Sequence, residues 1–188
     1  MSNLSSQCGG GGWTLVMKLD PEKDTFRYKS LFWKNNATLN VNAGLDGLTK
    51  NETKLASYHN TPFTEICLGM TDVINNTNWI LLNHTASSLY SVIADGNYAA
   101  TNAGRAKWMS LMDGSSLQPN CNKEGFNIKH QKLDMRIGFA ANNEDNCASC
   151  DSFIGFGINR HNKWKIYSGT IKSLANITLK AFGYILVR

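Results

Sequence analysis

The chain has 188 residues, a net charge of +5 and a pI near 9.0, with only 18% charged residues, below the ~25% usual for a globular domain. That length suits one domain with a core of its own, and no apolar run reaches the length of about eighteen needed to cross a membrane, so no membrane insertion is expected. Lys and Arg are scattered, and the densest basic stretch, NRHNKWK (Asn159 to Lys165), is too short to argue for nucleic acid.

The N-terminal MSNLSSQC has neither the charged nor the apolar region of a signal peptide. Residues 1–7 read as a tail ahead of a domain over 8–188, and a secreted form is then expected to be a mature fragment or part of something longer. WTLVMKL (Trp13 to Leu19) follows four glycines and reads as a buried strand. DTFRYKSLFW (Asp24 to Trp33) is mixed in period and reads as partly strand. NWILLN (Asn78 to Asn83) is a further strand. ASSLYSVIADG (Ala86 to Gly96) and AGRAKWMSLMDG (Ala103 to Gly114) space their apolar residues as short helices and end at Asp-Gly. DMRIGFA (Asp134 to Ala140) and KAFGYILVR (Lys180 to Arg188) complete the strands. The pattern predicts one α+β domain: a mostly antiparallel sheet, short helices and long ordered loops.

The polar surface is carried by amides and hydroxyls, with twenty-two Asn in the chain. Six of them, Asn3, Asn36, Asn51, Asn75, Asn83 and Asn176, open N-x-[ST] sequons, against about three expected by chance from this composition. Five of the six fall in the first half of the chain, which predicts sugar on one side of an extracellular domain.

Enzymatic chemistry finds no foothold. The chain has no G-x-S-x-G, H-E-x-x-H or G-x-x-x-x-G-K-[ST]. CGGGGW runs into a strand rather than a helix, so its amides have no helix dipole behind them to hold phosphate. The four His (His59, His84, His130, His161) are dispersed, and no nucleophile, base and orienting group assemble.

The remaining signal is NNEDNCASCDSFIGFG (Asn142 to Gly157). Its C-x-x-C is preceded by acidic residues, which raise a thiol's pKa and oppose a reactive dithiol, and no second Cys pair stands at zinc spacing. An oxidised scaffold fits better. Of the five Cys, Cys8 is the natural residue to join a partner chain or an upstream segment, leaving Cys67 with Cys121 and Cys147 with Cys150 as the simplest pairing. Glu144, Asp145 and Asp151 then offer carboxylate oxygens and Asn142, Asn143 and Asn146 amide oxygens, a set suited to Ca2+. An acidic, solvated loop with Asn in its turns is the competing reading.

GGGGWTLVMKLD near the start, RIGFAANNEDNCASC two-thirds along and AFGYILVR at the end resemble the fibrinogen-related domain superfamily, closest to its intelectin-like branch. The resemblance covers Cys8 to Arg188. It implies a single fibrinogen-like domain that is secreted, is not an enzyme, and recognises a glycan or another extracellular ligand, in some relatives through bound calcium. It places Asn142, Asn143 and Glu144 on the N-N-E element of the calcium region. It makes Trp164 and Tyr167 ligand-flanking aromatics, with His161 and Asn159 completing the coordination. The span from Gly157 to Lys180 departs from the family pattern, holding no Cys, Asp or Glu. That departure removes the second half of the calcium site, and Lys163, Trp164 and Lys165 suit an anionic ligand such as a sulfated glycan. The rival expectation is an adhesion or matrix module that binds protein partners without sugar or metal, and self-association as a homo-oligomer is left open.

Overall fold

The computed structural model describes residues 8–131, 133–160, 167–172 and 177–188. The first half of the chain contributes β1 (Thr14–Leu19), α1 (Val41–Leu45), β2 (Thr53–Lys54), α2 (Ser57–Asn60), β3 (Phe63–Thr71), β4 (Thr77–Ala86) and α3 (Leu89–Ile93). The second half adds β5 (Ala99–Ala100), α4 (Arg105–Met109), β6 (Asn120–Lys129), β7 (Leu133–Asn142) and β8 (Ser152–Phe156), followed by β9 (Asn159–Arg160), β10 (Ser168–Lys172), β11 (Ile177–Lys180) and β12 (Phe182–Val187).

The strands form two antiparallel sheets. One runs β2-β1-β12-β3-β4, and the other runs β11-β10-β8-β7-β6-β5 with β9 on β7. The domain is mostly sheet with few, short helices, as the pattern predicted at that coarse level. The two sheets share one core: Val16, Ile66, Ile80 and Ile185 from the first meet Phe126, Ile137, Ile154 and Phe156 from the second.

β12 shows why its sequence is an unbroken apolar run. Ile185 and Val187 point into the shared core, while Phe182, Tyr184 and Leu186 join Cys8, Trp13, Leu15, Cys67 and Trp79 in a second cluster on the sheet's other face. A strand buried on both faces has no reason to alternate.

Three expectations are corrected. Asp24 to Trp33 is not strand: it forms two single 3-10 turns, Asp24–Phe26 and Leu31–Trp33, whose Phe26 and Trp33 are core anchors. The two helices are shorter than the spacing suggested, because Ala86 still belongs to β4 and α4 ends at Met109. The cysteines pair differently: Cys8 bonds Cys67, and Cys121 bonds Cys147. Cys67 on β3 and Cys121 on β6 belong to different sheets, and each is bonded to a cysteine other than the one expected. Cys8 is therefore bridged within the chain, and Cys150 is the buried thiol outside both bridges.

The glycine run next to Cys8 has a role in this fold. Gly9, Gly10 and Gly12 adopt positive φ, which only glycine takes at no steric cost. That path brings the carbonyls of Gly9 and Gly11 to Arg188, whose guanidinium also stacks on Trp13 at 4.5 Å and donates to Glu65 at 2.6 Å.

Buried cations organise the loops. Arg136, 1% exposed, donates to the Tyr28 carbonyl through Nε and Nη2 (2.9 and 2.7 Å), and through Nη1 to the Ile93 carbonyl and Asn127 Oδ1 (3.2 and 2.7 Å). Gly157, at φ +62°, lets the chain pass: a Cβ there would meet Arg136 Cβ and Cγ and the Trp33 ring, each at 2.8 Å. Lys18 Nζ donates to the carbonyls of Ala43 and Gly47 and to Thr49. Lys54 Nζ donates to the Asn35 carbonyl at 2.6 Å and lies 4.5 Å from the Tyr58 ring centroid.

Two outcomes follow. Arg136→Met orphans the Tyr28 carbonyl and the Asn127 amide oxygen at about 1–3 kcal/mol each, so the urea midpoint should fall with an unchanged m-value; an unmoved midpoint refutes the role. Burial lowers the Lys54 ammonium to about 8, whereas the unfolded chain keeps that proton to about 10.4. The unfolded state therefore binds more protons between those values, and stability from this residue rises with pH across the window. Lys54→Met should flatten that rise in urea titrations run from pH 7.5 to 10.5, and an identical slope in the variant refutes it.

Candidate functional site

The β7–β8 connection carries the residues singled out by sequence. Asn142 ends β7 fully buried, and its amide turns inward: Nδ2 donates to the Asn146 carbonyl at 2.8 Å and to Ser149 Oγ at 3.4 Å. Its Oδ1 is buried with no hydrogen-bond donor. The loop mouth is closed by the Asp151 amide donating to the Ala141 carbonyl, where β8 begins its pairing with β7.

Three further ties hold the loop. The Cys121–Cys147 bridge fastens it to β6. Asn120 Nδ2 donates to the Asn143 carbonyl at 2.6 Å, and the Gln131 amide donates to the Ala148 carbonyl at 3.1 Å. The Asn146 side chain closes a local turn by accepting from the Ala148 amide. Asn143, Glu144, Asp145 and Asn146 are left exposed, with Asn143 Nδ2 donating to Glu144 Oε1. The arrangement is a pinned loop whose outer rim is lined with oxygens.

The structure does not gather the whole expected ligand set. Asn142 points into the loop, Glu144 and Asp145 stand at its rim, and Asp151 is half-buried at the start of β8. Among the described residues no group of three His, Cys, Asp or Glu side chains converges as a metal-holding cluster. Asn159 sits on β9 opposite Asp134 of β7. Tyr167 is half-buried, its carbonyl accepting from the Ile158 amide. Burial and the charge of Asp24 push its phenol up, against Arg27 and Lys180, which places it by the Asp24–Phe26 turn. His161, Lys163, Trp164 and Lys165 lie outside the described residues.

The sequons divide by layer. Asn36, Asn51, Asn75 and Asn83 are all exposed. Asn51 precedes β2, Asn75 is in the β3–β4 turn, Asn83 is on β4, and Asn36 precedes the Leu39–Lys54 bridge beside β2. All four therefore belong to the five-stranded layer, while the pinned loop belongs to the other. Asn3 and Asn176 lie outside the described residues.

Two residues passed over in the sequence matter here. Glu124 on β6 accepts from Thr101 Oγ1, the amides of Ala103 and Gly104, and Trp108 Nε1, all within 3.0 Å. Burial alone would raise its carboxyl; the Trp108, Thr101, Gly104 and Ala103 donors outweigh it and hold the group below the usual carboxylate range. His130 is buried beside the loop, and neither ring nitrogen has a hydrogen-bond partner. A lone Glu and a lone His in strand-like text carry no periodic or spacing signal, so only the fold exposes them.

Compared with protein families, curated proteins and solved structures, the chain matches none of them.

Removing the Cys121–Cys147 bridge, whose cysteines are 26 residues apart, should cost about 2–4 kcal/mol. The Cys121→Ser/Cys147→Ser variant should melt lower and be cut faster after Glu144 by a glutamate-specific protease. Cleavage at the wild-type rate would show that the hydrogen bonds alone hold the loop.

Proposed function

We propose that this chain is a secreted recognition module of the fibrinogen-related kind that binds carbohydrate, with Ca2+ held at the rim of the pinned loop. The observation that carries the reading is the loop itself. A disulfide and six hydrogen bonds order it in advance, so little ordering entropy remains when Asn143, Glu144 and Asp145 take up a ligand. Carboxylate and amide oxygens on one short loop are hard ligands suited to Ca2+, and a sugar's vicinal hydroxyls would replace water on such an ion.

Two observations add support. Intrachain disulfides fit an oxidising compartment. Glycans on the exposed sequons of the five-stranded layer would leave the loop's layer open to ligand. Among the described residues no helix is long and apolar enough to cross a membrane.

A second reading, an adhesion or matrix module binding protein, is favoured by a different feature. Val73 and Ile74 at the β3–β4 turn are 85% and 79% exposed, and side-by-side exposed aliphatics suit a protein partner.

A glycan array with calcium and again with EDTA separates the readings. Binding that is lost in EDTA and falls at least about tenfold, or ~1.4 kcal/mol, in Asn143→Ala and Glu144→Gln is the expected result. Binding to sulfated glycans that survives EDTA and fades with salt moves the site to Lys163, Trp164 and Lys165. Silence on the array in both conditions overturns the carbohydrate reading and leaves the protein partner.

A further inference from the structure

The sequon at the β3–β4 turn has its side chain held in a fixed direction. Asn75 Oδ1 accepts from Lys50 Nζ at 2.6 Å, which sets the amide plane and turns Nδ2, the atom that carries an N-linked sugar, away from the lysine. The turn beneath is braced. Asp72 Oδ1 accepts from the Ile74 and Asn76 amides at 3.0 and 2.9 Å, and Asn76 Nδ2 donates to Asp113 at 2.8 Å. Yet this braced turn leaves Val73 and Ile74 85% and 79% exposed. Beside it lies an open cavity of about 230 Å³, lined by Asp20, Glu22, Lys50, Asp72, Val73 and Lys180 among others. Lys50 thus belongs to the cavity wall and also holds Asn75.

We propose that an N-linked glycan on Asn75 docks on its own domain, with its innermost sugar seated in this cavity and covering Val73 and Ile74. The seat suits a neutral polar ring. Its carboxylates Asp20, Glu22 and Asp72 are matched by the ammonium groups of Lys50, Lys180 and Lys23, with Lys180 on Glu22 at 2.7 Å and Lys23 on Asp20 at 3.4 Å. Balanced charge leaves no net field to draw in an ionic ligand, while the paired groups keep acceptor and donor capacity for sugar hydroxyls. The apolar C–H face of a sugar ring and its N-acetyl methyl suit the two aliphatic side chains. The volume is below the ~300 Å³ at which pockets for drug-sized ligands begin, which fits one sugar residue.

Attachment decides the occupant. Asn75 follows Ile74 directly, about 3.8 Å away between Cα atoms, so the first sugar is held beside the aliphatic pair at the roughly millimolar or higher effective concentration of a short tether. Closing so short a link costs little chain entropy. With the sugar in place the tip of the turn is polar. A bare Asn75 leaves it apolar and open to a protein partner. The inference rests on the secreted part of the reading above and is independent of what the β7–β8 loop binds.

The full chain, secreted from a glycosylating eukaryotic host behind an added leader, tests it. Peptide mapping by mass spectrometry should find Asn75 occupied. Peptide N-glycosidase acting on the folded protein should free Asn75 at least about tenfold more slowly than the other occupied sequons, since a seated sugar admits the enzyme only while it is lifted. In denaturant all sites should be freed alike. Asn75→Gln should bind more of the hydrophobic dye anilinonaphthalene sulfonate, whereas trimming every glycan to its innermost sugar should not. Val73→Ser and Ile74→Ser, added to Asn75→Gln, should return dye binding to the starting level, which separates an uncovered tip from a fold defect. A bare Asn75 overturns the proposal, as does release at equal rates from the folded protein. Unchanged dye binding in Asn75→Gln overturns the covering of the aliphatic pair. None of these readouts involves binding on the glycan array, so the carbohydrate reading stands or falls separately.

Discussion

The arrangement on which the rest of this fold leans is one guanidinium taken out of water. Arg136 projects from the middle of β7 and collects the Tyr28 carbonyl, the last carbonyl of α3 at Ile93, and the Asn127 amide oxygen. Those partners come from the N-terminal turns, a helix and the neighbouring strand, segments that share no sheet hydrogen bonds with one another. Asn127 reinforces the junction, since its Nδ2 donates to the Val92, Ile93 and Asn97 carbonyls. Carbonyls at a helix C-terminus have no partner within the helix, and here a cation and an amide supply them. The fixed donor geometry of arginine suits one residue to several acceptors at once.

The same logic recurs around the molecule. Helices here are too short to hold themselves, and the long connections carry few apolar residues, so polar side chains buried at the sheets act as anchors. Lys18 gathers the α1 segment, Lys54 the stretch at Asn35, and Glu124 the approach to α4. Each is satisfied by backbone groups that an irregular loop would otherwise leave without partners. The β7–β8 loop adds a covalent version of this device, which allows its rim to be polar without being floppy.

How much of this could be read beforehand follows from which forces leave a periodic mark. Trp13–Leu19, Asn78–Asn83, Asp134–Ala140 and the closing AFGYILVR were legible as strands because burial writes itself into apolar runs. DTFRYKSLFW misled because its aromatics serve as anchors of two tight turns, and anchor spacing follows the cavities they fill rather than a repeat. The cysteine pairing was illegible for a related reason: Cys8 lies beside Cys67 only because β1, β12 and β3 are neighbours, a long-range fact with no local trace. In the candidate site, the exposed rim residues were found by type, while Asn142 proved to be an internal brace. Arg136 and Glu124 were invisible, since a single charge in a strand reads as solvent-facing until its partners are known.

The path of covalent bonds near the chain's two described ends has a mechanical side. β1 and β12 are antiparallel neighbours with Thr14 opposite Val187, a geometry in which opposed pulling opens rungs one after another rather than all together. The Cys8–Cys67 bond diverts that load. Tension entering at residue 8 crosses into β3 at Cys67, which lies opposite Leu186, so β1 and the loops behind it are bypassed. Force drawn through residues 8 and 188 is thus carried across the last rungs of β12 and the Arg188–Glu65 pair, and the β7–β8 loop, on the other sheet, stays outside the line of stress. A domain pulled from these two points would in this way keep its β7–β8 loop unloaded.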